Sequence, residues 1–115
     1  MVVSEKIVQL VWEKGLCFGA DSTIYRKDAA GAFIQRDQYG KEGSYGWTID
    51  HIRPVSKGGN DSYVNLRPMQ WENNRSKADD YPNYKAVIIA DGNKNIRKEQ
   101  DCTVDELIQA QLRIL

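Results

Sequence analysis

Histidine is almost missing from this chain, which has one, together with two cysteines and three prolines. Cys17 and Cys102 stand far apart with no CxxC pair. That excludes a CxxC-type zinc knuckle, so no structural zinc is expected, and it argues against a disulfide scaffold. The two cysteines read as small buried or half-buried apolar groups. Long apolar runs are also lacking, and the start, MVVSEKIVQLVWEKG, has no basic segment followed by an apolar block. Neither a membrane span nor a signal peptide is expected, and the expected compartment is the cytoplasm. The formal net charge is zero, so no whole-molecule basic field announces a nucleic-acid binder. Any such surface must be local. Repeats, low-complexity tracts and linkers are absent as well, and residues 1–115 read as a single α+β domain with a real core.

What is present divides into short segments. Ser4 can cap a helix over Glu5–Lys14 that stops at Gly15, with Ile7, Val8, Val11 and Trp12 on one face. From Thr23 to Tyr45 the chain is aromatic, β-branched and broken by Ala and Gly, which predicts a strand pair. YGWTIDHI reads as a strand ended by Pro54, SKGGNDSYV as a loop, and NLRPMQ as a short second strand. WENNRSKAD predicts a helix of two to three turns, YKAVIIAD a strand and GNKN a turn. Thr103 and Glu106 stand at capping-box spacing before a last helix with Val104, Leu107, Ile108 and Leu112 as its apolar stripe.

The chemistry concentrates between Asp50 and Lys77, in DHIRPVSKGGNDSYVNLRPMQWENNRSK. A hairpin with a helix packed across it brings together the end of the first strand (Asp50, His51), the start of the second (Asn65) and the helix face carrying Asn74. A hard divalent cation takes oxygen ligands, few of them from protein. Asp50 offers a charged oxygen and Asn74 a neutral one. The His51 imidazole can take a proton from water. Asn65 can fix either the loop or the imidazole by hydrogen bonding. Gly58-Gly59 reads as a turn requiring positive φ. Lys57, Arg75 and Lys77 read as phosphate contacts, whereas Arg53 and Arg67 either touch phosphate or pair with a nearby carboxylate. Trp47, just before the segment, and Trp71, within it, read as core.

The ordered set Asp-His, Gly-Gly loop, Asn-Leu and Asn-Arg-Ser-Lys resembles the HNH endonucleases, which have the ββα-metal fold. The third signature position is often His in that family. Asn74 is its best match here, a variant shared with the HNH domain of RNA-guided CRISPR nucleases. The resemblance implies a ββα-metal core over about residues 46–79, with an N-terminal hairpin and flanking N- and C-terminal helices added. It implies Asp50 and Asn74 as metal ligands, His51 as general base, Asn65 as the middle structural residue of the catalytic motif, and one divalent cation, Mg²⁺ first, with Mn²⁺ or another ion as alternatives. The expected substrate is double-stranded DNA, cut to leave 5′-phosphate and 3′-hydroxyl ends.

Two points stay open on the sequence. Asn73 adjoins Asn74, so the second ligand is uncertain by one position, although neighbours on a helix point roughly 100° apart. A regular strand sends Asp50 and His51 to opposite faces, so a shared site calls for an irregularity near Pro54. Two other functions fit the same residues: an HNH fold that binds nucleic acid or metal in a larger assembly without cutting, and an RNA-cleaving nuclease.

Overall fold

The computed structural model describes residues 2–115. Helix α1, Glu5–Trp12, starts where the Ser4 hydroxyl accepts the Ile7 N–H at 3.2 Å, and it buries Val8, Val11 and Trp12. Strands β1 (Tyr25–Lys27) and β2 (Phe33–Gln35) form a small antiparallel hairpin, as the aromatic and β-branched pattern predicts. Strand β3 (Trp47–His51) pairs antiparallel with β4 (Leu66–Gln70), in register from Trp47 opposite Gln70 to His51 opposite Leu66. Helix α2, Trp71–Lys77, follows β4 without a linker. The Gln70 side chain makes that abrupt change possible, its Oε1 accepting the N–H groups of Glu72 and Asn73 at 2.8 and 3.0 Å.

Strands β5 (Asn83–Asp91) and β6 (Lys94–Thr103) then form a longer antiparallel hairpin around Gly92, whose φ is +63°, with a bulge between Ala86 and Ile88. β6 was not foreseen. Its sequence, KNIRKEQDCT, is mostly polar and lies at a sheet edge, so it has no apolar alternation to read. Helix α3, Glu106–Leu112, is capped by Asp105, which accepts the Leu107 N–H, and not by Thr103. Thr103 still belongs to β6 and donates its hydroxyl to Asn83. Leu107 is 78% exposed, so the apolar stripe of α3 reduces to Ile108 and Leu112. Cys17, expected inside, is exposed, and Cys102 is half-buried. Among the described residues no helix is long and apolar enough to cross a membrane.

Two apolar clusters hold these parts together. Val8, Val11, Trp12, Ile34, Trp47 and Leu66 form one, with the Trp12 and Trp47 rings 5.4 Å apart. Ile52, Met69, Tyr84, Val104 and Leu112 form the other. Each buried side chain of this size stabilises by roughly 1.5–3 kcal/mol, so both terminal helices are anchored by the apolar residues they bury. The β3–β4 ribbon contributes to both clusters, through Trp47 and Leu66 to one and Met69 to the other. It is therefore held on both sides, and its end at His51 is a fixed point from which a site can be built.

Candidate active site

Asp50 lies near the end of β3, directly across the ladder from Arg67. Its carboxylate is 3% exposed and is gripped from two directions. Arg67 Nε donates to Oδ2 at 2.9 Å, and Lys77 Nζ, from the last turn of α2, lies 3.2 Å from Oδ1. Lys77 also donates to the His51 carbonyl at 3.1 Å, which ties α2 to the strand end. Burial pushes the Lys77 ammonium below its ordinary range, and Asp50 opposes that fall without cancelling it. Lys77, expected to meet phosphate, is instead inside the molecule at 0% side-chain exposure, and Arg67, at 9%, takes the second of its two expected roles by pairing with a nearby carboxylate. Burying Asp50 required partners, and these were the two cations within reach.

His51 is placed differently. The register of β3 runs unbroken through it, so the irregularity anticipated near Pro54 is absent. The Asp50 carboxylate goes inward to Arg67 and Lys77, while the imidazole Nε2 stands 2.7 Å from Asp61 Oδ1 in the following loop. A carboxylate only accepts, so Asp61 selects the tautomer with its proton on Nε2. Nδ1 then carries the lone pair. Asp61 escaped the sequence reading because it sits ten positions from His51 in a stretch whose composition says only loop.

That loop is pinned by Asn65. Its Oδ1 accepts the Arg53 N–H at 2.8 Å, and its Nδ2 donates to the carbonyls of Arg53 and Asn60 at 3.0 and 2.8 Å. Of the two roles open to it, fixing the loop is the one the structure shows; it makes no bond to the imidazole. Gly59 completes the packing, because a Cβ there would lie 1.7 Å from the Arg53 carbonyl oxygen. Gly58 has φ +93°, as the turn reading required.

The two adjacent asparagines separate cleanly. Asn73 is buried and saturated: Oδ1 accepts Val87 and Ile88 N–H at the β5 bulge, and Nδ2 donates to Ile88 O and Asp28 Oδ2. Nothing is left to bind an ion. Asn74 donates Nδ2 to Thr48 Oγ1 at 2.7 Å, and its Oδ1 has no hydrogen bond among the described residues. Asp50, His51 and Asn74 line one open groove, walled further by Pro54, Val55, Ser56 and Asp79.

Residues 43–83 match the family model described as HNH endonuclease. That segment is similar to the HNH endonucleases. The match covers a minority of the chain but spans β3, β4, α2 and the whole groove. No curated protein and no solved structure matched the chain.

The remaining predicted contacts sit around the HNH groove. Arg75 is exposed, pairs with Glu42 at 3.0 Å and lies over the Trp71 ring at 4.8 Å. Trp71, expected in the core, is only half-buried and donates its indole N–H to Gly43 O. Trp47 is fully buried. Lys57 is exposed, whereas Arg53 is spent on structure, donating to Lys57 O and Leu112 O.

The donor set decides what could be held. Among the described residues no three His, Cys, Asp or Glu side chains cluster for a metal. Of the oxygen-bearing residues that line the groove, Asp50 and Asn74 come from separate elements, with the Asp50 carboxylate set at its buried edge against Arg67 and Lys77. Each Asp50 oxygen keeps one acceptor position beyond its bond to Arg67 or Lys77. This set suits a hard cation that keeps most of its shell as water and phosphate.

Proposed function

We propose that the protein is a metal-dependent endonuclease that hydrolyses phosphodiester bonds of double-stranded DNA, with His51 as general base. One observation supports this above the others: Asp50, His51 and Asn74, from β3 and α2, line a single groove within the HNH segment. Asp61 holds Nε2 of the imidazole, which leaves Nδ1 to take the proton of an attacking water. Asp50 and Asn74 are the residues that would hold a divalent cation, Mg²⁺ first. Such an ion, when bound, offsets charge at the scissile phosphate and the leaving oxygen. Asn65 keeps loop and strand end in register with each other, so it positions the site without touching substrate.

The test is plasmid nicking by the purified protein with Mg²⁺ or Mn²⁺. His51→Ala is expected to abolish nicking with its circular dichroism spectrum intact. Strong cleavage by that variant would overturn the role of His51, and a wild type inert with every divalent ion tried would overturn catalysis. RNA offered in competition decides the nucleic acid.

A second reading, binding without cutting, is favoured by the two cations already on Asp50, which lower its attraction for a third. It predicts a salt-sensitive mobility shift of DNA without turnover, even with Mn²⁺.

A further inference from the structure

On the side of the molecule formed by the β1–β2 hairpin and the β5–β6 turn, aromatic side chains enclose a recess of about 350 Å³. Phe18, Tyr25, Phe33 and Tyr45 line it, with Lys27 and Asn93. The rings form a connected series. Phe18 and Phe33 lie 5.0 Å apart at 45°, and Tyr45 stands edge-on to both Phe33 and Tyr25 at 6.4 Å. Only Phe33 is buried. Phe18 and Tyr45 are half-exposed and Tyr25 is exposed, so part of the aromatic surface of the recess is accessible.

The polar groups point to what that ligand carries. Lys27 Nζ stands 5.2 and 5.3 Å from the Phe18 and Phe33 ring centres, and among the described residues it has no carboxylate partner. No acidic side chain lines the recess. The Asn93 side-chain amide makes no hydrogen bond among the described residues, although its backbone carbonyl accepts the Tyr45 hydroxyl. Open π faces reward a flat conjugated ring, an unpaired cation rewards an anion, and a free amide supplies one donor and one acceptor for a ring edge.

We propose that this recess is a nucleotide-binding site, with the base against the rings, its edge at Asn93 and the phosphate at Lys27. The volume lies in the range of small-ligand pockets, roughly 300–1,000 Å³. An apolar peptide side chain would fill the same space but leave the Lys27 ammonium without an anion, and charge complementarity therefore favours the nucleotide. The site does not rest on the catalytic reading, and it lies apart from the His51 groove, sharing no lining residue with it. Its occupant comes either as a free mononucleotide or as one nucleotide of a single strand.

Amide NMR of the full chain in EDTA tests the proposal, with adenosine monophosphate, adenosine and a short oligodeoxyadenylate as probes. Shifts are expected at Phe18, Lys27, Gly92 and Asn93. A response to the monophosphate identifies a free nucleotide as sufficient, and a response to the oligonucleotide alone identifies a strand; either supports the site. Lys27→Gln should weaken the monophosphate roughly tenfold and leave adenosine unchanged, whereas Tyr25→Ala should weaken both roughly tenfold. The proposal is overturned if no probe shifts these residues or if shifts arise only around His51. It is equally overturned if both variants bind like wild type, or if an aromatic peptide shifts the recess and nucleotides do not.

Discussion

Asp61 reaches His51 across a loop, and its carboxylate does two things at once: it orients the ring and fixes the tautomer. A positioned base is worth about 10²–10⁴ in rate. Removing only its orientation should forfeit part of that, so Asp61→Ala should lower kcat about ten- to a hundredfold with KM nearly unchanged. Steady-state nicking kinetics check this, and an unchanged kcat would show that the ring orients itself. Asn73 and Asn74 give a sharper contrast. Asn73→Ala leaves two backbone N–H groups, one of them fully buried, one carbonyl and Asp28 short of a partner, a loss of about 3 kcal/mol or more. Asn74→Ala breaks one good bond, to Thr48, at about 1 kcal/mol, yet should abolish cleavage. Urea unfolding beside the nicking assay separates them, and equal destabilisation would mean the two roles are misassigned. The sequence could not make this distinction, because both residues are the same amide and only the β5 bulge tells them apart.

At the scale of elements, the ββα unit was legible because its parts announce themselves locally. The strand ends at a proline, the turn has its glycines, and the helix is followed by a proline that stops it. What was not legible was the loop's internal bracing. Gly59 looks like any turn glycine, but its α-hydrogens face the Arg53 carbonyl, and Asn65 Nδ2 is 2.9 Å from where a Cβ would stand. Gly59→Ala must push the backbone at Arg53 away or eject the Asn65 amide. The expected result is a destabilisation of about 1–3 kcal/mol and a loss of nicking larger than the unfolded fraction explains, since the same loop carries Asp61. Thermal unfolding and activity at a temperature where the variant is fully folded check it; full activity there would show that the loop tolerates displacement. The buried positions of Arg67 and Lys77 belong to this scale too. The charge of Lys77 suggested a surface and that of Arg67 left an ion pair open, and the ladder register and the last turn of α2 aim both at Asp50.

Over the whole molecule, the added hairpin, the ββα unit and β5 meet at one buried carboxylate that the sequence does not single out. Asp28, in the turn after β1, accepts four hydrogen bonds: Ala30 and Ala32 N–H on Oδ1 at 3.0 and 2.9 Å, and Gln70 N–H and Asn73 Nδ2 on Oδ2 at 3.0 and 3.1 Å. Through Asn73 it is linked to β5. Burial raises its pKa above the ordinary carboxylate value, and the four donors oppose that rise without cancelling it. The folded chain therefore binds this proton more tightly than the unfolded chain does. The stabilisation from that proton is complete below the unfolded carboxylate pKa of about 3.9 and is lost as the pH rises through the folded value. Asp28→Asn cannot titrate, and it turns an amide N–H₂ toward groups that are all donors, so it should be less stable than wild type at every pH. Because only the wild type gains from the proton, the gap between the two should be wider at pH 4 than at pH 7. Chemical denaturation of both proteins at the two pH values measures that gap, with the other carboxylates cancelling in the difference. A gap wider at pH 7 would mean that the four donors prevail over burial and hold Asp28 ionised at the junction.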